Sequence, residues 1–301
     1  MDNDNLMKKK LVSYYKNVKF KFDYRDSLVY SEEEGNLLIL NEILSKNPFM
    51  CVRLGAVESR CIFNWINNKP FTSKNIDSIH YAAGVFPQDD ETIRLFCKVY
   101  ADALKDADVL GLWSVVGEKK IMKMFCPSSK LVPLRSIEPY YHKNPWSEVL
   151  KNKRVLIVHP FVDSIKEQYE KRTKIFNDER ILPKFKELLL VRAVQSNGGA
   201  QSSFSNWFDA LDFMKSEIKK LEFDVAIIGA GAYGVPLASY VKSLGKQAIQ
   251  MAGSTQILFG IKGNRWDSHP IISGFYNDYW IRASNKETPP KINKVEGGSY
   301  W

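Results

Sequence analysis

The stretch FDVAIIGAGAYGVP, residues 223–236, decides the fold class. Its apolar run, Val225 to Ile228, reads as a buried strand, and a helical pattern begins after it. Between them stand Gly229, Gly231 and Gly234, at the G-x-G-x-x-G spacing of turns that cradle phosphate at a helix N-terminus. The same glycines also serve a plainer purpose, the tight packing of helix on strand. Tyr233, inside the turn, is placed either to touch a base or ribose or to cap the sheet edge.

Downstream, KQAIQMAG (246–253) is the next strand. It ends without the Asp or Glu that a dinucleotide or methyl-donor site places there to hold ribose hydroxyls, which argues against NAD. STQILFGIKG (254–263) begins a helix, with Ser254 or Thr255 as its cap. Gly253, Ser254, Thr255 and Gln256 form a second candidate cradle, with Lys262 and Arg265 a few residues on. Two helix N-termini beside two cations suit a diphosphate; an ordinary cap with surface cations is the competing reading.

Upstream, strands are expected at 154–161 and 187–195, with helices at 163–176, capped by Asp163 or Ser164, and at 206–221. Earlier strands are 49–55, 108–113 and 130–135, with helices at 36–46, 56–68 and 89–107. Ser31 and Glu34 form a capping box. Strands alternating with helices imply a mostly parallel sheet, and near-continuous apolar strands imply helices on both faces. The expected fold is α/β, a Rossmann-like doubly wound sheet with ligands beyond the carboxyl ends of its strands. Residues 31–301 form this domain, with a junction near 136–152, where the chain is irregular and aromatic.

Composition sets limits. The chain has 301 residues, of which 45% are hydrophobic, and a net charge of +9. Lysines crowd KKKLVSYYKNVKFKFDYR, and residues 1–30 read as a basic arm. Alternation from Val18 to Phe22 suggests a strand or extended segment there. Its basic side faces water or an anionic lipid surface; no nucleic-acid motif accompanies it. The four cysteines lack metal-ligand spacing and read as reduced thiols of a cytoplasmic protein. No apolar run approaches the ~20 residues of a membrane span.

Taken together, VRLGAVES, RVLIVHPFVDSIKEQYEKR and the segment from FDVAIIGAG to FGIKGNRW resemble proteins of bacterial surface-polysaccharide synthesis that are similar to GT-D type glycosyltransferases. The resemblance covers roughly 45–270. It implies a nucleotide-diphosphate sugar as donor and a glycan or lipid-linked glycan as acceptor, in capsule or O-antigen synthesis. It also implies a cytoplasmic enzyme, peripheral to the inner face of the membrane through its basic arm and compatible with a homo-oligomer. The family's R-x-G-D-x-E pattern falls on Arg53, Gly55 and Glu58, but its aspartate position is Ala56. Half of the acidic pair is missing, which argues against dependence on Mg²⁺ or Mn²⁺.

Glycosyl transfer builds negative charge on the leaving diphosphate, and cations, helix ends or a metal can meet it. Arg53, Lys262 and Arg265 are the candidate cations. Glu58 is the candidate general base, or a helix-N-terminal acid. A metal would require Glu58 joined by Asp267 and His269. His159 is either a substrate contact or a histidine satisfied by backbone. Tyr140, Tyr141 and Trp146 either stack on a sugar or pack a connector. The alternatives are a non-catalytic nucleotide- or glycan-binding assembly protein on the same scaffold and, further off, a dehydrogenase or methyltransferase.

Overall fold

A computed structural model describes residues 18–301. Seven parallel strands form one sheet: β1 (Phe49–Arg53), β2 (Val109–Leu112), β3 (Lys130–Pro133), β4 (Arg154–His159), β5 (Glu187–Arg192), β6 (Val225–Ile228) and β7 (Gln247–Gln250). Their order across the sheet is β3-β2-β1-β7-β6-β4-β5. Strands from before and after the 136–152 segment therefore share one sheet. That segment is a chain of 3-10 turns, and Trp146 within it is fully buried.

Strand residues alternate between two cores. Met50, Val52, Leu110, Leu156, Val158 and Ile228 point into one; Phe49, Cys51, Val109, Val155, Ile157 and Ile249 point into the other. On the first face lie α3 (Ala56–Ile66), α5 (Asp90–Leu104), α9 (Trp207–Lys219) and α10 (Gly234–Ser243). The second is covered by α2 (Glu32–Ser45), α7 (Val162–Glu170), α8 (Arg172–Ile175), the 3-10 turns and the chain after β7. Both faces are apolar because both are covered, the α/β layering expected of continuous apolar strands. Among the described residues, no helix is long and apolar enough to cross a membrane.

Local signals act as read at several ends. Ser31 and Glu34 make both bonds of the capping box of α2, at 3.2 and 2.8 Å. Gly245 ends α10 with φ +76°. Three readings are corrected. Residues 18–23 are helical (α1), not extended. A helix places Phe20 and Tyr24 one turn apart, their rings 5.0 Å from each other, so that Tyr24 enters the core. The basic segment is thus packed on the body from residue 18; residues 1–17 of the expected arm lie outside the described residues. Secondly, α7 is not capped by Asp163 or Ser164. Glu287, from far along the chain, accepts from the amides of both, at 2.9 and 3.4 Å. Thirdly, α11 (Thr255–Leu258) stops after one turn. The chain bends at Gly260 (φ +65°), and Ile261–Lys262 (β8) pairs with Ile281–Arg282 (β9). Two helices, α4 (Ser73–Ala83) and α6 (Glu118–Phe125), have no counterpart in the sequence reading.

Candidate active site

Chain connections leave β4 towards β5 and β6 towards β7, in opposite directions, so a crevice opens at the carboxyl ends between them. A cleft lies there, with an empty volume, counted out to its mouth, of about 840 Å³. Arg53, Gly55 and Glu58 line it after β1, Trp113 after β2 and His159 at β4. Gly229 and Gly231 follow β6; Gly253 and Gln256 follow β7. Arg265, Glu296, Tyr300 and Trp301 close the remaining side.

Arg53 is fixed from three sides. Its amide donates to Gln250 Oε1 (3.0 Å), its Nη1 to the Leu54 carbonyl (3.0 Å), and its guanidinium lies 5.1 Å from the Trp113 ring. Gly55 begins α3 without a side-chain cap. The Glu58 carboxyl folds back over Gly55, towards the first amides of the helix. Burial raises its pKa above the ordinary carboxylate range, against the opposing pull of those amides and of Arg53. A carboxyl held in this way suits a group that must take up a proton.

His159 is buried and neutral, its pKa pushed down to about 3 by desolvation. The Phe161 amide donates to its Nδ1 at 3.0 Å, so Nε2 carries the proton. Backbone thus satisfies one ring nitrogen, while the ring itself still borders the cleft. Arg265 donates from Nη1 to the Tyr300 hydroxyl (2.9 Å) and lies 3.3 Å from Glu296. Glu138 was not read from the sequence. It sits against Ser254 in the field of Arg53, Arg135 and Arg265, and burial raises its pKa.

The glycines divide by cause. A β-carbon on Gly229 would meet His159 Cδ2 at 2.5 Å and the Ala252 carbonyl at 2.7 Å. On Gly234 it would meet Gln250 Cγ at 2.9 Å. Both close approaches are helix–strand and strand–strand packing. A β-carbon on Gly231 would meet only the Ala83 carbonyl, at 3.8 Å, but its φ of +51° lies in the left-handed region that favours glycine.

Several candidates stand elsewhere. Tyr233 is buried, stacked on Trp207 at 4.8 Å, and shares a 2.9 Å hydrogen bond with Ser196. Tyr140 and Trp146 are core residues; the Trp146 indole donates to the Ile137 carbonyl at 3.0 Å. Tyr141 lies under the Arg135 guanidinium and beside His269. This aromatic segment is the packed connector, and the aromatic side chains at the cleft are Trp113, Phe161, Tyr300 and Trp301. Ser254 does not cap α11, since its hydroxyl donates to the Met251 carbonyl (2.7 Å). The Thr255 hydroxyl is buried with no protein partner among the described residues. Lys262 is drawn to the Tyr276 ring, 5.1 Å away, and is not a cleft residue.

The metal reading does not hold in its stated form. Asp267 is paired with Arg282 at 2.6 Å. His269 Nδ1 accepts from the amides of Ile271 and Ile272 at 3.3 and 3.2 Å. Neither joins Glu58 at the cleft, and no group of three or more His, Cys, Asp or Glu among the described residues could hold a metal ion.

The residues of the cleft that sequence reasoning missed come from the end of α4, Ala82 and Ala83, and from the last stretch of chain. Trp113 ended an expected strand and was open to inference. Glu296, Tyr300 and Trp301 follow no periodic pattern; only the paired Gly297 and Gly298, at φ +70° and +80°, mark a turn there. Compared with family models, curated proteins and solved structures, the chain finds no match.

Proposed function

We propose that the protein is a glycosyltransferase on a GT-D-like version of this fold. It would move a sugar from a nucleotide-diphosphate sugar to a glycan hydroxyl in bacterial surface-polysaccharide synthesis. The observation that carries the reading is convergence: Arg53, Arg265 and a carboxyl of raised pKa, Glu58, share one cleft at the carboxyl ends of the sheet.

In the reaction the acceptor hydroxyl gives its proton to Glu58 as its oxygen bonds to the anomeric carbon. The bond from that carbon to the diphosphate oxygen breaks, and the electron pair leaves with the nucleoside diphosphate. A single displacement of this kind inverts the anomeric centre. The charge that develops on the leaving group is met by Arg53 and Arg265. Arg265 exchanges Glu296 for phosphate as the donor enters. The neutral His159 donates a hydrogen bond from Nε2 and does not act as an acid or base near neutral pH. Trp113, Tyr300 and Trp301 offer apolar faces to the base and the sugar. The side chains at the cleft are a poor metal set, since Ala56 stands at the position that would partner Glu58 and the other carboxylate, Glu296, is paired with Arg265, and no step is assigned to a metal.

A second reading, a nucleotide- or glycan-binding assembly protein, is favoured by the fold-back of Glu58 onto its own helix. A β-carbon on Gly55 would lie 1.9 Å from Glu58 Oε2, so the carboxyl hugs the chain rather than reaching outward. A thermal-shift series with nucleoside diphosphates, nucleotide sugars, NAD and S-adenosylmethionine, with and without Mg²⁺ or Mn²⁺, separates the readings. Transferase activity requires stabilisation by one nucleotide-sugar class, loss of that shift in Arg265→Ala, and sugar transfer detected by mass spectrometry. Stabilisation without transfer supports the second reading, and stabilisation by NAD or S-adenosylmethionine overturns both.

A further inference from the structure

Helix α1 turns Phe20 and Tyr24 inward, so the opposite side must show its other residues. That side carries Val18 and Phe22, 47% and 62% exposed, and the Arg25 guanidinium lies 4.5 Å from the Phe22 ring. Helix α6 lies alongside. The Tyr24 hydroxyl donates to Glu118 (2.5 Å), Lys19 Nζ to the Ser114 carbonyl (3.3 Å), and Lys119 stands 3.7 Å from Asp26. Lys19, Val116, Lys120, Lys123 and Met124 line one shallow concavity between the two elements. Val116 and Met124 are each 50% exposed. The exposed carboxylates facing these cations are Asp23, paired with Lys19, and Asp26, beside Arg25 and Lys119.

Single exposed apolar residues need no explanation. Here they are interleaved with cations over two adjoining elements. A protein-binding core is depleted in lysine, and a polyanion site has no use for exposed Phe, Val and Met. An anionic lipid surface uses both, cations for the headgroups and apolar tips for the interface beneath them. We propose that the α1–α6 face docks on an anionic lipid bilayer.

The chain that forms the Trp113 wall of the cleft runs directly into Ser114, Val115 and Val116 at this face. Docking therefore brings the cleft beside the headgroups, where a lipid-linked acceptor would present its sugar. That consequence rests on the proposed transferase reading; the docking itself does not.

The test is co-sedimentation of the full chain with vesicles of phosphatidylcholine alone and of phosphatidylcholine mixed with phosphatidylglycerol. Binding is expected only to the mixed vesicles, weakening as salt rises. Each lysine removed should weaken partition roughly fivefold, so Lys120→Gln with Lys123→Gln should lower it more than tenfold. Phe22→Ser should lower it several-fold at unchanged charge, and none of these variants should shift the melting temperature or the response to nucleotides. Absence of binding to mixed vesicles would overturn the proposal. So would binding that ignores all three substitutions. So, too, would binding that falls with the lysines, ignores Phe22→Ser and is matched by RNA, the mark of a polyanion site.

Discussion

The Glu58 carboxyl occupies the place where a side chain on Gly55 would begin. A β-carbon there would lie 1.9 Å from Oε2 and 2.4 Å from Cδ, and the three nearest atoms all belong to Glu58. Gly55 itself has φ −74° and ψ 147°, which any residue adopts. Gly55→Ala therefore meets the free end of a flexible side chain, not backbone, and should evict the carboxyl without unfolding the protein. Losing a carboxylate from a helix N-terminus costs about 0.3–1 kcal/mol, and up to ~2 where partly buried. Replacing glycine by alanine where the conformation permits contributes about 0.4–1 kcal/mol of stability through the unfolded chain. The net is within about 1.5 kcal/mol, a melting shift of only a few degrees for a chain of this size. Activity should respond differently, because moving the general base out of reach costs roughly 10²–10⁴ in kcat. The pH profile gives a second reading. Burial raises the Glu58 pKa, so the acid limb of the wild-type kcat/KM should stand above that of an ordinary carboxylate. In Gly55→Ala the residual activity should show that limb moved to lower pH. Unchanged kcat with an unmoved acid limb would refute the placement of Glu58 as base. A melting temperature more than ~10 °C lower would refute the claim that only a side chain yields.

Three further outcomes are expected. Glu118 is buried away from the cleft, and desolvation raises its pKa, so the folded state holds a proton that the unfolded chain sheds; stability drains as pH rises through the window above the ordinary value of 4.5. Urea midpoints at mildly acid and neutral pH should therefore differ less in Glu118→Gln than in the wild type; an equal or steeper slope would mean Glu118 is not the source. The Thr255 hydroxyl is buried without a protein partner, so Thr255→Val should be neutral or stabilising by up to ~1 kcal/mol in thermal denaturation, and a loss beyond that would reveal an unseen partner. A β-carbon on Gly253 would lie 2.1 Å from Tyr300 Cε1, so Gly253→Ala should push the ring from Arg265 and raise hydrogen exchange across residues 296–301. Unchanged protection would show that Tyr300 is not anchored there.

The strands were legible chiefly from their apolar runs, nearly unbroken in β1, β4 and β6, the mark of a strand buried on both faces; β3 and β7, with polar or proline ends, were read from their place between helices. Their order was not, since β1 lies against β7, nearly two hundred residues later, and nothing local records that pairing. The run from Val18 to Phe22 misled because five alternating residues also fit a helix; only Phe20 with Tyr24, one turn on, betrays the helical period. At the cleft, Arg53, Gly55 and His159 were legible as strand ends, Glu58 only through the family pattern, and Arg265 only as a cation a few residues past the second glycine turn. The metal set failed because sequence proximity of Asp267 and His269 does not say where their side chains are spent: one goes to Arg282, the other to local amides. Gln250 was read only for what it is not. It holds the Arg53 amide and fills the space left by Gly234, which no motif encodes.

The strand order also bears on how the molecule is made. The two strands at the centre of the sheet, β7 and β6, come last in the chain, between β1 and β4. A nascent chain that has emerged only through β5 holds two half-sheets, β3-β2-β1 and β4-β5, each with an inner edge awaiting a neighbour. Those edges are apolar on both sides and carry unpaired backbone groups, the kind of surface that recruits other chains. Synthesis and folding are thus out of step by more than half the chain. Chaperones at the ribosome exit would have most to hold during the interval before residues 225–250 emerge, and a ribosome stalled in that interval should yield aggregate rather than a stable half.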